Sequence, residues 1–205
     1  MEDLIVDVIG GMGAIGVALL MFAENVFPPI PSELIMPLAG YLSSQGQMSY
    51  WGAIIGGTLG SLLGGALWYW VGYKISKERL VRWSDRFGVW IAVTPDDVEK
   101  TCAWFERHGQ MSVFLGRLVP LVRTLISLPA GLTRMPFRKF LIFSAIGTFI
   151  WTYALTFAGR FLGERFAEVE RYVGPFSWAV IGVILLIYFY RLISLGLKRR
   201  AQRSQ

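Results

Sequence analysis

Between Leu115 and Gly131 the chain reads Leu-Gly-Arg-Leu-Val-Pro-Leu-Val-Arg-Thr-Leu-Ile-Ser-Leu-Pro-Ala-Gly. This apolar run carries Arg117 and Arg123 and is interrupted by Pro120 and Pro129. An arginine at membrane depth costs about 2.5–3.5 kcal/mol on insertion scales, so two of them need a partner or a ligand. Proline removes a helical hydrogen bond, and broken backbone at that depth is tolerated where it lines a site. A counterpart lies far upstream, where Glu24-Asn-Val-Phe-Pro-Pro-Ile-Pro-Ser-Glu33 sets two carboxylates around Pro28, Pro29 and Pro31. Buried charge beside a broken helix reads as a binding site.

The remaining composition agrees with that setting. Of 205 residues, 54% are hydrophobic and only 17% charged, and the mean hydropathy is +0.50. The apolar runs are long and continuous rather than alternating, which predicts an all-α integral membrane protein and not a barrel. The start, Met-Glu-Asp, has no basic region, and no signal peptide is read there. Cys102 and His108 are the single cysteine and histidine. That scarcity removes most hydrolytic and metal chemistry, so no catalytic residue, cofactor or metal site is expected and the chain is read as no enzyme. His108, beside Gly109 in a polar stretch, is read as solvated or interfacial. The net charge of +6 is dispersed between hydrophobic runs, so anionic membrane lipids are the expected partner and nucleic acid is not.

Taken in order, Leu4 to Phe22 is just long enough to span, although Asp7 and the glycines at 10, 11, 13 and 16 leave an interfacial helix open. Residues 23–47 hold four prolines, Pro37 being the last, and predict a re-entrant hairpin. Two arms of roughly ten residues each would reach about 15 Å, near the bilayer midplane. Tyr50 to Gly72 is a spanning helix ending in the aromatic belt Trp68, Tyr69, Trp70 and Tyr73. Its small residues at 56, 60 and 64 and at 57, 61 and 65 allow close approach of another helix, from this chain or from a homodimer partner. Lys74 to Val93 reads as a basic amphipathic helix on the membrane surface. Thr94-Pro-Asp-Asp97 then starts a short helix with Val98, Cys102 and Phe105 on one face. A second hairpin, 111–137, carries the arginines. Lys139 to Ala158 spans, 159–174 is a nearly neutral loop, Pro175 to Leu195 is the final span, and the tail is basic.

One membrane domain, 1–205, thus divides into a first repeat at 15–75, an amphipathic connector at 76–108, a second repeat at 109–163, and a final helix with tail at 175–197. A single constant offset lays Pro29 on Pro120, Leu34 on Leu125, Ile35 on Ile126, Ala39-Gly40 on Ala130-Gly131 and Ile55-Gly56 on Ile146-Gly147. Each half is a re-entrant hairpin plus a transmembrane helix. An odd number of crossings between them makes the repeat inverted, which brings the hairpin tips together at the midplane. Lysine and arginine are richest in the connector and tail, which places both, and the N-terminus, in the cytoplasm.

Under that symmetry Glu24 and Glu33 approach Arg117 and Arg123. One reading is an ion-pair lock between hairpins. The other is that Arg117 and Arg123 bind a phosphate, which a planar guanidinium suits, while the acids hold the arginines in its absence and take up protons. A regular helix would set the arginines about 120° apart around its axis, so the break at Pro120 is what lets them converge.

These motifs are similar to those of the DedA family, also described as SNARE-associated or VTT-domain membrane proteins. The resemblance rests on Glu24 to Glu33 followed by Leu38-Ala-Gly-Tyr-Leu42, and on Gly116-Arg-Leu-Val-Pro-Leu-Val-Arg-Thr124 followed by Pro129-Ala-Gly131. Gly147, Trp151 and Gly159-Arg-Phe-Leu-Gly163 extend it over roughly residues 15–165. It implies facing re-entrant hairpins, importance for two acids and two arginines, here Glu24, Glu33, Arg117 and Arg123, and a bacterial cytoplasmic-membrane location. It further implies movement of undecaprenyl phosphate or a related polyprenyl phosphate lipid, dependent on the proton gradient. Ser61 departs from the pattern, since many members have an Asp near this point. A proton-coupled antiporter of small cations or drugs is the alternative, although two arginines would repel a cation; a non-transporting scaffold is the third class.

Overall fold

The computed structural model of the chain describes residues 2–26, 32–75, 77–91, 94–120 and 122–162, with isolated positions at 182, 190 and 192. The predicted hairpin tip with Pro28, Pro29 and Pro31, the predicted loop beyond Leu162, most of the predicted final span and the tail lie outside these residues. Eight helices follow one another through the described residues: α1 (Glu2–Val26), α2 (Ser32–Ser44), α3 (Tyr50–Lys74), α4 (Lys77–Ile91), α5 (Pro95–Arg117), α6 (Val122–Leu125), α7 (Ser127–Leu132) and α8 (Phe137–Leu162). Asp7–Val26, Tyr50–Lys74 and Phe137–Leu162 are each long and apolar enough to cross a membrane.

Many bulky residues of α3 and α8 face outward, and small ones fill much of their buried faces. Leu59, Leu63 and Leu67 of α3 are exposed, as are Ile142, Ile146, Tyr153 and Phe157 of α8. Their buried faces carry Gly56, Gly57, Gly60, Ser61, Gly64 and Gly65 on α3, and Ser144, Thr148, Thr152 and Thr156 on α8. Lipid solvates the large side chains, so small residues at helix contacts gain close backbone packing. The residues repeating at 56, 60 and 64 meet this chain's own α1: a Cβ on Gly56 would strike the Ala14 carbonyl, and one on Gly60 that of Ala18. Thr58 and Thr152 hydroxyls join α3 to α8 at 2.9 Å.

The packing is reciprocal. Helix α2 lies against α8, and α7 lies against α3, so a short helix of each sequence half rests on the long apolar helix of the other. Gly40 meets the Thr156 carbonyl and Gly131 meets the Tyr69 carbonyl, each with no room for a Cβ. These are two of the residues that the repeat superimposes.

Several boundaries differ from the sequence reading. Helix α1 continues past Phe22 to Val26, with a kink at Gly13 (φ 56°), a conformation that glycine adopts without strain. The predicted short helix after Thr94 runs on to Arg117, so the boundary drawn at 109 falls inside one continuous helix. Its start is as expected: the Thr94 side chain accepts from Asp97 N at 3.1 Å, and Asp97 Oδ2 accepts from Thr94 N at 2.9 Å. Pro129 does not interrupt α7. It occupies the third position, where an N–H has no helical acceptor to lose.

Candidate functional site: a buried arginine cluster

Helix α5 stops at Arg117, a turn at 118–120 with Pro120 in it follows, and α6 starts at Val122. The Leu118 N–H bonds back to the Leu115 carbonyl at 3.0 Å, and the Arg123 N–H to that of Val119 at 3.1 Å. This reversal brings the two arginines to one place. Arg117 is 1% exposed and is the largest fully buried side chain among the described residues. Its Nε donates to Ser144 Oγ at 3.3 Å, Nη1 to the Arg123 carbonyl at 3.0 Å and Nη2 to Ser127 Oγ at 2.9 Å. The guanidinium also lies over the Phe140 ring, 5.8 Å from its centroid.

All three acceptors are neutral. Among the described residues Arg117 forms no ion pair, an unusual state for a buried cation. Space for it comes from two glycines. A Cβ on Gly65 would collide with the guanidinium, and one on Gly147 would come within 2.8 Å of Arg117 Cβ.

Arg123 is 3% exposed and does have an acid: its Nη2 donates to Glu24 Oε2 at 2.6 Å. Glu24 sits in the last turn of α1, so this ion pair ties the end of the first spanning helix to the arginine segment. The same Oε2 accepts from Asn25 Nδ2 at 3.0 Å. Asn25 Nδ2 also lies 3.0 Å from the Met21 carbonyl and from Ser61 Oγ, and Trp68 Nε1 donates to the Asn25 carbonyl at 2.9 Å. The Asn25 Oδ1 atom is buried without a hydrogen-bond partner among the described residues.

Of the four charged residues picked out in the sequence, three therefore meet. Glu33 stays in the first turn of α2, partly buried, accepting from Ser32 Oγ at 3.2 Å, and makes no ion pair among the described residues. Asn25, Ser127, Ser144, Gly65 and Phe140 join the cluster without having been singled out. With Glu24 ionised, the three buried groups carry one net positive charge.

An all-helical, multi-pass membrane protein with charged side chains buried among its crossings is the class that fold and site define. The family is shown by comparison. Residues 30–161 match the VTT domain. An undecaprenyl phosphate transporter A of Staphylococcus aureus is 36% identical over 191 residues, 92% of this chain and 94% of that protein. A protein of the same name from Bacillus subtilis is 30% identical over 181 residues, covering 87% of each. A Lactococcus lactis protein named alkaline phosphatase-like is 36% identical over 200 residues, 97% of this chain and 94% of that one. No solved structure matches the chain. The chain belongs to the VTT-domain, or DedA, family.

Proposed function

We propose that this protein moves a polyprenyl phosphate lipid, undecaprenyl phosphate or a close relative, across the bacterial cytoplasmic membrane. The observation that carries the reading is the buried pair of Arg117 and Arg123 with a single carboxylate, Glu24, which pairs with Arg123 alone. Two guanidiniums against one acid favour an anion, and a planar fork suits phosphate oxygens. The names of the Staphylococcus aureus and Bacillus subtilis relatives support the same substrate. In this mechanism Glu24 holds Arg123 while the site is empty. Phosphate displaces it, and the released carboxylate takes up a proton, since an unpaired charge is disfavoured there. Competition between acid and phosphate for Arg123 couples the proton gradient to lipid movement, with Glu33 at the mouth of α2 as a second acid. The reciprocal packing of α2 on α8 and α7 on α3 supports two inverted halves around this site, and the basic connector supports cytoplasmic termini.

The test is made on purified Arg117→Lys and Arg123→Lys proteins, measuring thermal stability and polyprenyl phosphate affinity on the same samples. Affinity is expected to fall about tenfold or more, which corresponds to about 1.4 kcal/mol, while both proteins remain folded, because an ammonium cannot reproduce the fork. Unchanged affinity in both overturns the ligand assignment. A cationic drug titrated in parallel is expected not to bind. Retention of the wild-type pH dependence of transport by both Glu24→Gln and Glu33→Gln would remove proton coupling through these acids.

A further inference from the structure

Away from the arginine cluster, a cleft of about 690 Å³ opens between the middle of α5 and the start of α8. Its size is that of ligand sites. Arg107, Lys139 and His108 line it together with Gln110, and Glu106 is the lone acid in the wall. Neither Arg107 nor Lys139 makes an ion pair among the described residues. The lower wall is apolar: Phe105 and Met135 belong to the buried cluster under α3 and α7, and Phe143 packs against it.

Position and shape narrow the ligand. Helix α8 is long and apolar enough to cross a membrane from Phe137, which sets a cleft bounded by Pro136 and Lys139 at the end of that span. Trp104, exposed beside His108 with ring centroids 5.4 Å apart, is the side chain expected at a headgroup boundary. Met111 lines the cleft and is 58% exposed, and Leu115, one turn on, is 53% exposed. An apolar track thus leaves the charged wall and runs along α5 towards the bilayer interior. Cations above, hydrocarbon below and an open side match an amphiphile with an anionic head.

We propose that this cleft is a second anion site, which holds a phosphate headgroup at the membrane surface, with the acyl or prenyl chain lying over Met111 and Leu115. The cations recognise phosphate, whether from a lipid or as the free ion. The site stands whether or not the lipid is then carried across the membrane.

Native mass spectrometry of the full-length protein in detergent, with phosphatidic acid, phosphatidylcholine or inorganic phosphate, tests it. The variant Arg107→Gln/Lys139→Gln leaves the Arg117–Arg123 cluster intact. Wild type is expected to retain one more phosphatidic acid molecule than this variant, with at least tenfold preference over phosphatidylcholine, and Arg107→Lys/Lys139→Arg should keep that preference. Both side chains are exposed, so melting temperatures should match; the two single Gln variants, each losing part of the preference, provide a second reading. Displacement of phosphatidic acid by millimolar inorganic phosphate from wild type alone identifies the free ion as a competent occupant, and persistence of the lipid assigns the site to lipid. Equal retention by wild type and the Gln variant, or equal binding of phosphatidylcholine, overturns the proposal. Loss of the extra lipid with polyprenyl phosphate affinity unchanged separates this site from the buried one.

Discussion

Removing one partner of the Glu24–Arg123 pair leaves the other charge buried at 3–7% side-chain exposure, with its partner formerly at 2.6 Å. Breaking such a pair costs about 3–5 kcal/mol, most of it the penalty on the orphaned charge. Glu24→Gln and Arg123→Met are therefore each expected to destabilise the protein by that amount. At roughly 2–4 °C per kcal/mol for a chain of this length, the melting temperature should drop by about 6–20 °C. The double variant contains no orphaned charge, so it should lie above the more damaged single variant, with a coupling energy of about 2–3 kcal/mol. Thermal unfolding of all four proteins in one detergent measures the cycle. Additive effects, with coupling below about 0.5 kcal/mol, would refute the reasoning and show the contact to be energetically idle. The same double variant separates lock from ligand. A pair that is only a lock leaves a stable and active double variant, whereas a phosphate-binding Arg123 leaves a stable protein that no longer holds polyprenyl phosphate.

Gly65→Ala places a methyl group against the Arg117 guanidinium. Overpacking costs about 1–3 kcal/mol, and lipid affinity should fall with it; a fully stable, fully binding Gly65→Ala protein would show that Arg117 has room to move. Cys102 is 1% exposed and burial pushes its thiol up from the ordinary range, so maleimide should modify it only on unfolding, from either side of the membrane. Thr101→Cys in a Cys102→Ala background is exposed and reports topology: it should resist an impermeant reagent in right-side-out vesicles, and labelling from outside would reverse the assigned orientation.

Charges were the legible part of this site, because an ionised group in an apolar run carries a penalty that demands an explanation. Glu24, Arg117 and Arg123 stand out on that ground alone. Ser127 and Ser144 do not, since a lone hydroxyl in a membrane helix is cheap and usually bonds its own backbone; their bonds to Arg117 depend on helices that only the fold brings together. Gly65 was visible as one of a series but not as the residue that makes room for a guanidinium. Prolines proved ambiguous. Pro120 falls in the turn after α5 and Pro129 at the third position of α7, where no helical bond is lost, while Pro37 lies inside α2 and is tolerated there although its missing N–H leaves the Glu33 carbonyl without that helical donor. Helix α5 was longer than expected. The polar stretch around His108 does not break it, because water on one side of a helix does not end it. Glu33 was grouped with Glu24 because the two acids flank one proline run, and it lies in the first turn of α2, a favourable helix terminus for an acid.

Asn25 is the second donor on the Glu24 carboxylate. Glu24 Oε2 receives two donors, Arg123 Nη2 at 2.6 Å and Asn25 Nδ2 at 3.0 Å. Two N–H groups converging on one oxygen fit an ionised carboxylate, which only accepts. Asn25→Leu removes one donor, and with it the bond to Ser61 Oγ; loss of hydrogen bonds to buried groups costs about 1–3 kcal/mol. Asn25→Asp keeps the shape but turns a donor into an acceptor and sets a second carboxylate about 3 Å from the first. With Glu24 ionised, like charges then oppose each other at low dielectric, and Asn25→Asp should be less stable than Asn25→Leu despite being the more conservative change. With Glu24 protonated, its O–H could donate to the new carboxylate, and the order would reverse. The melting temperatures of the two variants, measured at one pH in one detergent, therefore report the charge on Glu24. An Asn25→Asp protein more stable than Asn25→Leu would mean that Arg123 faces a neutral acid, and that the cluster carries two uncompensated positive charges before any phosphate arrives.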